Sequence, residues 1–184
     1  MILLVVLGIV AIVLIWFVAT YNSLVRSRKR VENAWSQIDV QLKRRHDLIP
    51  NLVNAVKGYM KYEQETLQRV MEARAKAVSG GSFEDRMKAE GEISTILGRL
   101  FALMENYPDL KANSSVNQLL EELTSTENKI SYARQFYNDS VMMYNTKLEV
   151  FPSNVVAKTF GFKPYPFFEL PEEEKEAPKV DLSF

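Results

Sequence analysis

The chain has 184 residues, and its 23 Lys and Arg balance 23 Asp and Glu, so the formal net charge is zero and nothing draws it as a whole toward nucleic acid. It has no cysteine and one histidine, His46, which excludes disulfides, iron–sulfur clusters, thiol nucleophiles, HExxH sites, His-rich zinc sites and paired Glu-x-x-His di-iron motifs. Beyond an apolar N-terminal run about 160 residues remain, enough for one domain with a sizeable core, and the scarcity of Gly and Pro between Pro50 and Pro152 favours helix over sheet.

Ile2 to Tyr21 is uncharged and rich in Ile, Leu and Val. As helix it spans roughly 30 Å, the thickness of a hydrocarbon core. Trp16, Phe17 and Tyr21 sit where an aromatic belt would lie. A cleavable signal peptide needs a basic leader and an Ala-x-Ala-like site; neither stands here, so a retained single-pass anchor is expected. Arg26, Arg28, Lys29 and Arg30 follow at once. By the positive-inside bias they stay cytoplasmic, with the N-terminus outside, and each is placed to attract anionic headgroups.

The run passes into a periodic segment with no Pro before Pro50. Leu24, Arg28, Val31, Trp35, Ile38, Leu42, Arg45, Ile49, Leu52, Val56 and Tyr59 alternate in steps of four and three, a coiled-coil-like seam. Pro50 is expected to kink this helix, because it removes the donor for the His46 carbonyl, and the seam is expected to run on through Met60, Leu67, Val70 and Val78. Ser79-Gly80-Gly81-Ser82 then ends it. Ser82 and Asp85 resemble a capping box for a second segment running to Pro108. Its Gly91 and Gly98 are read as points of close helix approach or as simple weak points. Asn113, Ser114 or Ser115 can cap a third long helix, about Ser115 to Val150. Ser153 can cap a short helix, Asn154 to Thr159, stopped by Gly161.

The fold expected is all-α: an N-terminal transmembrane helix continuous with an elongated antiparallel helical bundle. The anchor is 1–21, the cytoplasmic bundle domain 22–162, and a Pro/Glu-rich tail 163–184, mobile on composition unless it lies on the bundle. A faint strand-like alternation runs from Lys179 to Phe184.

Several blocks carry a family resemblance. They are Tyr21-Asn22-Ser23-Leu24-Val25, Val31 to Arg45, Asp47-Leu48-Ile49-Pro50-Asn51-Leu52-Val53, Glu105 to Asn113, Ala133-Arg134-Gln135-Phe136-Tyr137-Asn138, Tyr144-Asn145 and Phe151-Pro152-Ser153-Asn154. In this order, and over nearly the whole chain to about Glu169, they resemble the LemA family. The resemblance implies a bacterial inner-membrane protein with one span and a helical bundle, no enzyme activity and no cofactor. It also implies envelope functions, a relative in magnetosome membrane formation, and possible partners among membrane metalloproteases of the HtpX type or TPM-domain proteins. Tyr62-Glu63 stands where many members have His-Glu, which weakens any histidine-based site there.

Candidate polar sites each have a bland alternative. Arg45, on the seam, either binds an anion or partner, or pairs inside the bundle with a carboxylate such as Asp39 or Glu105 and fixes register. Tyr137-Asn138 and Tyr144-Asn145, a heptad apart, form either a peptide-binding patch or core tyrosines with tied hydroxyls. Asp39, Asp47, Glu63 and Glu105 lack the histidines and cleft that a metal or acid–base site needs. Met71, Met87, Met104, Met142 and Met143 are expected to fill core gaps. The function expected is that of a scaffold at the inner membrane, acting by self-assembly into a homo-oligomer or, alternatively, as an adaptor of a membrane protease or other envelope protein.

Overall fold

The computed structural model describes residues 1–168, and among them every regular element is helical. The helices are α1 (Ile2–Val56), α2 (Gln64–Val78), α3 (Phe83–Met104), α4 (Pro108–Lys111), α5 (Ser114–Glu149) and α6 (Ser153–Thr159). The chain is all-α, and its apolar N-terminal run continues into the bundle without a break in α1. Contacts divide it into two units: Met1–Ile38 with Tyr132–Phe167, and Asp39–Ser131 with Phe168. Both α1 and α5 lend a segment to each unit. The alternation at Lys179–Phe184 lies outside the described residues.

In the second unit the end of α1, then α2, α3 and the start of α5, form a bundle. Pro50 lies inside α1, which continues for six further residues. The expected run to Val78 is interrupted instead at Lys57–Glu63, where Tyr59 and Met60 both donate to the Val56 carbonyl. Gly58 makes helix costly at this point, and reversal gives the apolar stripe of α2 a partner. Leu67, Val70 and Ala73 turn back onto Ile49, Leu52 and Val56, with Met60 buried in the same core. The reversal leaves Tyr59 and Val78, both assigned to the seam, exposed.

Arg74 of α2 donates to the His46 carbonyl at 2.6 Å, so α2 runs antiparallel beside the end of α1. That carbonyl is the one Pro50 leaves without a backbone donor. Gly80 and Gly81 take positive φ (83° and 151°) in the α2–α3 turn. The capping box then forms: Asp85 N donates to Ser82 Oγ at 3.1 Å and Ser82 N to Asp85 Oδ2 at 3.3 Å. Gly91 is buried, but Gly98 is exposed and a Cβ there would touch nothing, so it permits no close approach. Asn113 caps α5, accepting from Ser115 N and Val116 N.

In the first unit α5 runs antiparallel to α1. Lys147 bonds Ser23 and Ser27 at 3.1 and 2.7 Å, and Tyr137 meets Trp35 edge-on at 5.7 Å. α6 folds under the end of α5 and buries Val156 and Ala157 against Leu24. Ser153 does not cap α6; its hydroxyl donates back to the Lys147 and Val150 carbonyls at 2.8 and 3.0 Å.

Candidate functional site

The apolar part of α1 is long enough to cross a bilayer, and its apolar stretch buries nothing. Trp16 is exposed. Phe17 and Tyr21 are not free belt residues: Phe160 lies 5.8 Å from Phe17 and 4.7 Å from Tyr21, and Phe162 lies 5.9 Å from Tyr21. Of the four cations, Arg26, Lys29 and Arg30 are exposed, while Arg28 is half-buried over the Phe162 ring at 5.4 Å. Glu32 takes Lys29 at 2.6 Å and Arg28 at 3.8 Å. The Lys29 hydrogen bond, with the nearby cationic charge, holds the Glu32 carboxyl below its ordinary range.

On the outer side of α5 Tyr132, Phe136 and Met143 are exposed, as is Val150 just past its end, whose N–H still bonds the Thr146 carbonyl. Their spacing of four, seven and seven places them on one stripe, with Asp139 and Thr146 at the intervening seam positions. Beside the stripe, Ser27, Arg30, Ser140, Met142, Met143, Thr146 and Lys147 line an open groove of about 400 Å³. Met142 and Met143 are therefore surface residues and not core filling.

The tyrosine–asparagine pairs hold the chain's own C-terminal segment. Tyr137 Oη donates to the Pro166 carbonyl at 2.9 Å, and Tyr144 Oη to the Lys163 carbonyl at 3.1 Å. Asn145 clamps Tyr165 from both sides, donating from Nδ2 to its carbonyl at 2.9 Å and accepting its N–H at Oδ1 at 3.0 Å. Pro164 and Pro166 bring no N–H that would go unpaired. Residues 163–167 therefore strap the first unit and are not a mobile tail. Burial, reinforced by Tyr165, pushes the Tyr137 phenol up to about 12. Asn138 is half-buried beside them.

In the second unit Arg45 is buried at the centre of a polar cluster. Its Nη1 donates to Glu127 Oε1 and Oε2 at 2.8 and 3.0 Å and to Ser94 Oγ at 2.7 Å. Its Nη2 donates to the Glu90 carboxylate and, at 3.1 Å, to the Glu90 carbonyl. His46 Nε2 sits 3.2 and 3.1 Å from the two Glu90 oxygens. Burial works to raise the Glu90 carboxyl, but the His46 hydrogen bond and the Arg45 charge outweigh it and leave it below its ordinary value. No group of three or more metal-ligating side chains occurs among the described residues.

The family profile described as LemA family matches residues 34–182. The chain belongs to the LemA family. The protein named Protein LemA of Metamycoplasma hominis is 29% identical over 161 residues, covering 86% of this chain and 73% of that one. Magnetosome protein MamQ 2 of Paramagnetospirillum magneticum is 25% identical over 183 residues, covering 83% and 67%. Magnetosome protein MamQ of Magnetospirillum gryphiswaldense is 24% identical over 192 residues, covering 88% and 71%. With the exposed apolar stretch of α1, this membership marks a membrane-associated protein.

Within this LemA-family bundle neither acid suggested for Arg45 is its partner. Asp39 is half-exposed and pairs with Arg86, and Glu105 is exposed at the C-cap of α3. Helix geometry explains both. Asp39 is six residues from Arg45, on another face of α1, and Glu105 lies about 22 Å along α3 from Glu90. Glu90 and Glu127 were not singled out from sequence because each looks like one more acid on a charged helix. The signal available was position: Glu90, Ile93, Leu97 and Leu100 keep the three–four spacing of a buried stripe.

Proposed function

We propose that this LemA-family protein is a membrane-anchored scaffold of the bacterial envelope, acting by self-assembly at the inner membrane, with its N-terminus outside and its bundle in the cytoplasm. The observation that carries this reading is the exposed Tyr132–Phe136–Met143–Val150 stripe on a helix packed against the anchor helix. Copies in one bilayer share an orientation, so their stripes are presented at the same height. Symmetric stripe-to-stripe pairing would set each Asp139 against its own copy. A head-to-tail contact avoids this and can close into a ring. The topology rests on Arg26, Arg28, Lys29 and Arg30 following the apolar run.

The reading assigns no catalysis. Arg45, Glu90, Glu127, Ser94 and His46 bond to one another inside the bundle, with Arg45 Nε buried and without a hydrogen-bond partner. The alternative is an adaptor for a membrane protein such as an HtpX-type protease. The groove lined by Met142 and Met143 favours it, because methionine surfaces adapt to varied partners. The test is the mass of the full-length protein in mild detergent, with and without Phe136→Ser and Met143→Ser together. Assembly through the stripe predicts a uniform complex that the double variant shrinks. A complex unchanged by the double variant, or a monomer in both, contradicts it; a monomer that co-purifies with one membrane protein moves the reading to the adaptor.

A further inference from the structure

The α5–α6 corner leaves Val150, Phe151, Val155 and Phe160 exposed; Phe151 retains 81% of its surface. Their level along α1 follows from contacts. Lys147 bonds Ser23 and Ser27, and α5 runs toward the anchor, so Phe151 lies about 6 Å further on, near Tyr21. Phe160 touches both Tyr21 and Phe17, the last turn of the apolar run. A bilayer that takes in Ile2 to Tyr21 therefore takes in Phe160. From Val150 to Phe162 the chain has no acidic residue. On α6 the buried Val156 and Ala157 face Leu24, while Val155 and Lys158 lie on the outer side. An apolar residue beside a long cation is the arrangement of an interfacial helix, whose lysine reaches up to the headgroups.

We propose that this corner is a second membrane-contacting element, with Phe151, Val155 and Phe160 inserted in the headgroup–acyl boundary beside α1. Its occupant is lipid, and it rests on the reading of α1 as a span. Two points of attachment stop the first unit from swivelling about the anchor helix, so the α5 stripe is held at a fixed height and facing.

The chain has no cysteine, so single cysteines can carry an environment-sensitive fluorophore in the full-length protein reconstituted in phosphatidylcholine vesicles. The positions are Phe151→Cys and Val155→Cys, with Ile12→Cys inside the span and Tyr62→Cys in water as references. The expected result is that labels at 151 and 155 lose fluorescence to lipid carrying a nitroxide near the headgroup and not to aqueous iodide, while the label at 62 does the reverse. Quenching of 151 and 155 by iodide alone overturns the proposal. So does protection from both quenchers, which would mean that another copy covers the corner. If the label at 12 escapes a lipid carrying the nitroxide deep in its acyl chain, the anchor reading has failed; if it is quenched there and only 151 and 155 escape the headgroup nitroxide, the corner alone has.

Discussion

At the scale of single residues, Pro50 and Arg74 form one device. A proline inside a helix orphans a carbonyl, and here the guanidinium of the next helix takes it at 2.6 Å. Arg74→Ala should cost about 1–3 kcal/mol, the penalty for a buried acceptor left unmade. In a Pro50→Ala background the restored N–H takes the carbonyl and the cost should fall, a coupling that a double-mutant cycle by denaturant unfolding would read. Arg45 is the costlier site. Arg45→Met leaves Glu90 buried without its counter-charge and should cost roughly 3–5 kcal/mol, whereas removing Arg45 and Glu90 together should cost less. Because the folded Glu90 carboxyl lies below its unfolded value, its contribution is full above the ordinary glutamate value of about 4.3 and is lost as pH falls through the lower one. Arg45 on an apolar seam announced a buried ion pair. Its partners were hidden, because helix register alone does not say which acid on another helix stands at its height.

At the scale of elements, most helix boundaries were legible because their punctuation is chemical: the Ser82–Asp85 box, the Asn113 cap, the glycines at 80, 81 and 161. The reversal at Lys57–Glu63 was not. The three–four pattern runs across it; Gly58 weakens the helix there, and the gain from folding α2 back onto α1 breaks it. The strap was left open for a related reason. Proline-rich composition says that a segment makes no helix, but not that Tyr137, Tyr144 and Asn145 wait to bind its carbonyls. Asn145→Ala should loosen the strap by about 1–3 kcal/mol, seen as faster amide exchange at Tyr165 with the helices still protected. The tyrosines also set an alkaline limit. The folded state keeps the Tyr137 proton up to about 12, whereas the unfolded chain loses it near 10. This contribution is therefore full below pH 10 and declines as pH rises from 10 to 12, which thermal melts across that range would show.

At the scale of the whole molecule, the continuity of the apolar run with the helical region through α1 was written in the first thirty residues, where an apolar run meets a basic cluster without a Gly or Pro between them. The outward stripe of α5 was not: Tyr137, Val141 and Tyr144 fill the inner face, and single apolar residues outside it, Tyr132, Phe136 and Met143, do not announce a surface stripe from sequence. Self-assembly through the anchored state is tested most directly by the mass of the full-length protein in mild detergent beside that of a fragment beginning at Asn22. A large, uniform complex for the anchored chain and a monomer for the fragment is the predicted result; a monomer in both contradicts it.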